Sequence, residues 1–365
     1  MAPSRARAPI RRENTIAIKL GSEKNQMPEL TRRRMLRQLS LAPAAGLVAS
    51  MPRQVRAAEF ALKYANNLPL SHPLNIRASE AAMRVAKESG GRAEISIFPN
   101  NQLGGDTDML AQVHSGGIDI FTPGTLIIAT MAPLSAATAV GFAFSHYDQV
   151  WNAADGKLGD RIRAEFARIG FHTFRTMWDN GFRQITTGNK PINSAEDLRG
   201  LKIRVPVSPM GVSLFKSLGA APTSLQFSEV YTALQTRIVD AQENPLAIVQ
   251  TAKLYEVQKY CSKTNHSWDG YHFIFNGRSW NALPDDLKEI VEGAFNDAGL
   301  KQRDDVRGLN DTLQSDLAAR GMVLNNTEPD SFREQLQKSG FYGEWKTRFG
   351  NETWALLEES AGKLL

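Results

Sequence analysis

Beyond residue 57 the chain alternates short segments of period two with longer segments of period near 3.6, and no other feature restricts its fold so closely. Residues 61–66 read as a strand. A helix over 73–87 follows, with Ile76, Ala82, Met83 and Ala86 facing inward, and Gly90-Gly91 stops it. In 93–98, Glu94 and Ser96 alternate against Ile95 and Ile97, the mark of a strand with one buried face. Further strands are expected at 118–122, 171–177, 201–205 and 238–242, with a helical period through Val150, Ala154, Leu158, Ile162 and Phe166 between them. This order predicts α/β layers on mostly parallel sheets.

From Pro284 the pattern changes. Asp286 and Glu289 have the spacing of a capping box. Leu287, Ile290, Val291, Phe295, Leu300, Val306, Leu309, Leu313 and Leu317 then recur at helical spacing, with no proline before Gly321. A single helix of about 35 residues would be roughly 50 Å long at about 1.5 Å per residue, enough to brace two lobes. Gly293, Gly299 and Gly308 each weaken it by about 1 kcal/mol relative to alanine and are its possible breaks. No repeat and no Pro- or Ser-rich linker divides the chain, so two lobes joined by several strand crossings, with a closable cleft, are expected.

The 365 residues suit two domains. A formal charge of +5 suggests an anionic partner such as nucleic acid, but 12 basic and 3 acidic side chains lie in residues 1–57. The remaining 308 residues hold 31 basic and 35 acidic groups, which removes the case for nucleic acid. Thr31-Arg-Arg-Arg-Met-Leu-Arg37, an uncharged stretch to Pro52 and Val55-Arg-Ala57 have the order of an export signal cleaved near Ala57. The paired arginines resemble the twin-arginine motif, and Met27 offers a second start. The charge-free run from Leu126 to Phe144 is interrupted by Pro133 and lacks a basic flank, so it reads as buried core rather than a membrane span. Cys261 is the one cysteine, which excludes an intrachain disulfide and a multi-cysteine metal site.

Few motifs promise bond chemistry. Ser213-Leu-Phe-Lys216 fits S-x-x-K, but Ser360-Ala-Gly-Lys363 fits it equally and no S-D-N stands between the elements. The common nucleophile-elbow, phosphate-loop, dinucleotide and zinc-protease signatures are missing. His266, Asp269 and His272 have no standard metal spacing and read more readily as hydrogen-bonding residues. Arg204 in Leu201-Lys-Ile-Arg-Val-Pro206 lies at a strand's carboxyl end, where open α/β sheets bind ligands. Arg183 in Asn180-Gly-Phe-Arg-Gln184 follows a strand at a polar turn. A surface arginine fits either pattern equally well. Two guanidinium forks converging in a cleft would hold one carboxylate bidentately.

Leu201-Lys-Ile-Arg-Val-Pro206, Phe227-Ser-Glu-Val-Tyr-Thr-Ala-Leu-Gln235 and Val239-Asp-Ala-Gln-Glu-Asn-Pro245, with Asn101-Gln-Leu-Gly-Gly-Asp106 and Pro191-Ile-Asn-Ser-Ala-Glu-Asp-Leu-Arg-Gly200, resemble the solute-binding proteins of TRAP transporters, the DctP-like family. The resemblance covers essentially the whole chain beyond the N-terminal segment. It implies a two-lobed periplasmic binding protein, type II-like, with hinge strands. Lobe I is expected over 58–180 plus 270–309, and lobe II over 181–269 plus 310–365. The resemblance makes Arg204 the carboxylate clamp, Arg183 and Asn244 its polar companions and Phe227 an aromatic wall. Asn67 and Asp106 match polar contact positions of the sialate-binding branch. His72 and Trp178 are further pocket candidates. Gly124 and Val207 stand where that branch has polar groups, which favours a smaller or more apolar acid, since an unpartnered buried hydroxyl costs about 1–3 kcal/mol.

The expected protein is thus a periplasmic receptor for an organic carboxylate that delivers it to the small and large membrane subunits of a TRAP permease. It spans no membrane once processed, makes or breaks no bond, and requires no cofactor. The rivals are a periplasmic serine hydrolase using Ser213 and Lys216, and a binding protein that feeds a sensor kinase.

Overall fold

The computed structural model describes residues 57–365; the expected export signal lies outside the described residues, apart from Ala57. In chain order the strands are β1 Phe60–Ala65, β2 Ala93–Phe98, β3 Ile120–Phe121, β4 Phe171–Thr173, β5 Trp178–Phe182, β6 Gln184–Thr187, β7 Lys202–Val205, β8 Ala221–Ser224, β9 Ala241–Asn244, β10 Tyr260–Lys263, β11 Trp268–Tyr271, β12 Ile274–Asn276 and β13 Val323–Asn326. One sheet has the order β2-β1-β3-β12-β4, the other β13-β10-β6-β9-β7-β8, and β5 and β11 form a two-stranded ribbon. Every strand of the first sheet falls in 58–180 or 270–309, and every strand of the second in 181–269 or 310–365. The β5–β11 ribbon straddles these ranges.

The sheets are mixed rather than mostly parallel. β1 runs parallel to β2 and β3, and β7 to β8 and β9. β12 and β6 are antiparallel to both of their neighbours. The cause is the crossings: β5 continues into β6 through Arg183 alone, and β11 leads into β12 after two residues, so the strands that leave the ribbon enter each sheet against its grain. The final helical segment, Phe341–Ala361, kinked at Gly350, packs on the Tyr147–Ala154 and Lys157–Arg168 helices and also on the Pro329–Lys338 and Pro209–Ser217 helices, so it touches elements of both ranges.

The helix expected at 73–87 is Pro73–Glu88, but its buried face is Leu74, Ala78, Ala81, Ala82 and Val85. Ile76 and Met83 are exposed. The partner decides this, because small alanines let the long helix approach closely, and Arg77–Asp305 and Arg84–Asp297 ion pairs stitch the edges. The expected 35-residue helix is continuous, Asp285–Ala319. It touches the first helix, β5, the Leu246–Thr251 helix and β13, and so braces both sheets. The capping box does not form: Pro284 is the cap, and Asp286 pairs with Arg92. The period through Val150 and Phe166 splits into Tyr147–Ala154 and Lys157–Arg168, with all five apolar positions still buried. The charge-free run folds into Thr125–Ile128, wholly buried, and a 3-10 turn over Pro133–Ala139, buried from Ser135 on. Among the described residues no helix is long and apolar enough to cross a membrane.

Gly299 does not break the long helix. A Cβ there would lie 2.5 Å from Trp178 Nε1 and 2.8 Å from Thr176 Cγ2, so glycine lets helix and hinge ribbon meet. Gly299→Ala is expected to displace the Trp178 indole and lower stability by about 1–3 kcal/mol. Thermal melting checks it, and an unchanged melting temperature would show that the contact is slack.

Candidate functional site

A narrow cavity with about 30 Å³ of free space lies between the two sheets, lined by groups from both: Asn67, Asp106 and Gly124 on one side, Arg204, Phe227 and Asn244 on the other, with Asn180, Arg183, Asp269 and Tyr271 from the hinge ribbon and its continuation. Six of the eight residues expected at a ligand site therefore meet here. The other two do not line it. His72 is the N-cap of Pro73–Glu88, its Nδ1 accepting the Leu74 N–H. Trp178 is wholly buried against Phe273, Phe295 and Gly299. Each sits near the site in sequence, yet its chain segment turns the side chain into the core.

Arg204 is the third residue of β7. Lys202 is exposed, Ile203 buried, and Arg204 is 1% exposed at the sheet's carboxyl end. Its Nε and Nη2 donate to the Leu225 carbonyl at 3.1 and 2.8 Å, and the Phe227 ring lies 5.9 Å away. Nη1 makes no hydrogen bond among the described residues, and no carboxylate comes within ion-pair distance. Burial lowers its pKa to about 10, against the attraction of Glu243 and Asp106. It remains a cation at neutral pH, buried and without a paired anion.

Arg183 differs. Its backbone N–H is anchored to Ser267 O at 2.8 Å. Its Nε and Nη2 grip the Glu243 carboxylate, Nη2 also reaching Asn244 Oδ1 at 3.2 Å, while Nη1 meets Asp269 Oδ2 at 2.8 Å. The expected pair of convergent forks is thus not what forms: the fork of Arg183 is spent on a protein carboxylate. Burial would raise the Glu243 carboxyl, but Arg183 and a hydrogen bond from His266 outweigh it and hold it at about 2. His266 is kept neutral by burial, so Nε2 donates to Glu243 at 3.0 Å and the Thr264 hydroxyl donates to Nδ1 at 2.8 Å.

Two amides complete the lining. Asn67 Nδ2 donates to Asp106 Oδ1 at 2.7 Å, and the Phe227 N–H to Asp106 Oδ2 at 3.3 Å. Asn180 Nδ2 donates to Asp269 Oδ2 at 2.9 Å, and the Thr125 N–H to Asp269 Oδ1 at 2.9 Å. The Oδ1 atoms of both asparagines are buried without a hydrogen-bond partner among the described residues. Burial raises the carboxyls of Asp106 and Asp269 despite Arg204 and Arg183 respectively.

Glu243, Asn180 and Tyr271 escaped sequence reasoning. A signal existed for Glu243: the middle of Gln242-Glu-Asn244 lies in a motif already singled out, and a buried glutamate needs a cation. Gly124 does line the cavity, but a Cβ there would meet Asp269 Oδ2 at 3.0 Å, so an acid is present at that spot from another strand. Val207 lies instead on an outer groove with Ser213 and Lys216. Ser213 donates to Glu344 at 3.0 Å and accepts from Trp345 Nε1 at 3.0 Å, a surface tie rather than a Ser–Lys pair. His272 packs on Phe166, apart from the ion network that holds His266 and Asp269.

Comparison with known proteins agrees with this architecture. The family model described as bacterial extracellular solute-binding protein, family 7, DctP, matches residues 64–340. The chain is 33% identical over 262 residues to the sialic acid-binding periplasmic protein SiaP of Vibrio cholerae, covering 72% of this chain and 81% of that protein. It is 34% identical over 275 residues to the uncharacterized protein y4mM of Sinorhizobium fredii, covering 75% of this chain and 50% of that protein, so it spans half that relative's length. The crystal structure of the sugar acid binding protein DctPAm from Advenella mimigardefordensis, in complex with galactonate, superposes with a TM-score of 0.80 at 27% identity, covering 85% of this chain and 100% of that one.

The two arginines should respond oppositely to truncation. Arg183→Ala leaves Glu243 and Asp269 buried and uncompensated and should cost about 3–5 kcal/mol. Arg204→Ala removes an unpaired buried cation and should stay within about 1 kcal/mol of wild type. Chemical denaturation of both variants checks the contrast; equal losses would contradict it. Because the folded Glu243 pKa lies below its ordinary 4.5, its contribution is complete above that value and is lost as pH falls towards about 2. Glu243→Gln should flatten the acid limb of stability in that window, read by circular dichroism.

Proposed function

Because this chain belongs to the bacterial extracellular solute-binding proteins of family 7, we propose that its cavity captures an organic acid by pairing the acid's carboxylate with Arg204. The observation that carries this reading is the state of that guanidinium: 1% exposed, cationic, and among the described residues hydrogen-bonded only to a backbone carbonyl. A buried cation of this kind is costly until an anion arrives, and the planar fork matches a carboxylate. Phe227 lies beside it and Asn244 stands next to Arg183, so both would border the bound acid.

The acid would touch Arg204 from the second sheet and Asn67 or Asp106 from the first. Contacts that exist only when both sides are near favour the closed arrangement, so closure is a population shift set by differential affinity. A micromolar dissociation constant is about 8 kcal/mol, within reach of one charged clamp and modest apolar burial. No bond is made or broken. In this reading residues 1–57 carry the chain to the periplasm, and the loaded form delivers its acid to the small and large membrane subunits of a TRAP permease.

Arg204→Ala should lose about 2–5 kcal/mol of binding energy, some thirtyfold or more in affinity, with the fold intact. Arg204→Lys should lose most of it too, because an ammonium has no fork. Titration calorimetry against a panel of organic acids, chosen first by thermal shift, checks both; an Arg204→Ala protein with undiminished affinity would refute the assignment.

A further inference from the structure

We propose that the captured acid has a single carboxylate and carries hydroxyl groups, which are read by the carbonyl oxygens of Asn67 and Asn180. The inference rests on the reading of Arg204 as carboxylate partner and extends it to the rest of the ligand. Both amides line the cavity and both are at least nine-tenths buried. Their orientation follows from their neighbours. Asp269 accepts from Arg183, from the Thr125 N–H and from Asn180, so the amide must present its nitrogen there. Asp106 accepts the Phe227 N–H and the Asn67 amide in the same manner. Each Oδ1 is consequently left buried with no donor among the described residues. A buried acceptor without a donor is a standing cost that folding alone does not relieve. A ligand hydroxyl supplies the missing proton; a methylene cannot.

The charges exclude a second carboxylate. Arg183 is matched by Glu243 and Asp269, which leaves Arg204 as the one cavity-lining guanidinium without an ion pair among the described residues. A second carboxylate in the same space would lie among the side chains of Asp106, Asp269, Asn67 and Asn180. Two of these are carboxylates, and the amide nitrogens of the other two already donate to them, so no cation is left there for a second carboxylate. Hydroxyls, which donate as well as accept, suit that wall. A site built to hydrogen-bond a hydroxyl rejects the analogue that lacks it more strongly than an apolar pocket rejects an added methylene.

Four acids separate the possibilities in calorimetric titrations of the full protein: erythronate and galactonate as hydroxylated monocarboxylates of two lengths, butyrate without hydroxyls, and succinate with two carboxylates. At least one of the first two should bind about tenfold or more tighter than both butyrate and succinate. Asn67→Ala and Asn180→Ala should each lower that affinity about tenfold, and the double variant should no longer distinguish the hydroxylated acid from butyrate. Preference for succinate, equal binding of butyrate, or binding of none of the four overturns the inference, and these wild-type measurements do not depend on a variant folding. Arg204→Ala, run on the same panel, distinguishes the two levels. If it abolishes binding while no hydroxyl preference exists, only the present inference falls; if it binds as wild type, the carboxylate reading falls as well.

Discussion

The site depends on one buried ion network. Glu243 and Asp269 together neutralise Arg183, and His266 secures Glu243 from its other side. Such an arrangement stabilises the fold weakly for the desolvation it requires; what it does is hold the ribbon, β9 and the cavity wall at one spacing. With Arg183 satisfied from within, Arg204 carries the positive field of the cavity alone. The acidic groups nearby, Asp106 and Asp269, are each tied by an amide and a backbone N–H. They temper that field without closing on the guanidinium.

The same ribbon links the cavity to the long helix. Gln302 clamps the Asp179 backbone from both sides, its Oε1 accepting the N–H at 2.8 Å and its Nε2 donating to the carbonyl at 2.7 Å. Arg303 donates to the Met177 carbonyl, forks onto Asp155 and stacks 3.7 Å from Trp151. Trp268 donates to Asp179 Oδ1. The crossing strands are therefore held by a rigid helix through backbone as well as side chains, and Gly299 permits the close approach. A movement of one sheet relative to the other would have to pass through this girder or through the two strand crossings, at Arg183 and between β10 and β12.

Much of the architecture is legible in the sequence. Length, the alternation of periods and the unbroken apolar stripe after Pro284 pointed to two sheets and a bracing helix. Periodicity failed where the partner decides orientation. Ile76 and Met83 are apolar and correctly spaced, yet Ala78, Ala81 and Val85 face inward because the opposing helix demands small side chains. It also failed for short strands such as β6 and β10, whose pairing is set by crossings far apart in sequence.

Within the site, motifs identified Arg204, Arg183, Asn244, Phe227, Asn67 and Asp106 as the residues to gather, and the chain does gather them. Sequence by itself determined which charged and aromatic groups were present, because residue identity and strand alternation are local properties. Only the tertiary structure decided which guanidinium is already paired and which amide oxygens stand without a donor. Those are long-range facts: Arg183 and Glu243 are 60 residues apart, and Asn180 and Asp269 are 89. No local pattern encodes the distance at which two such groups meet.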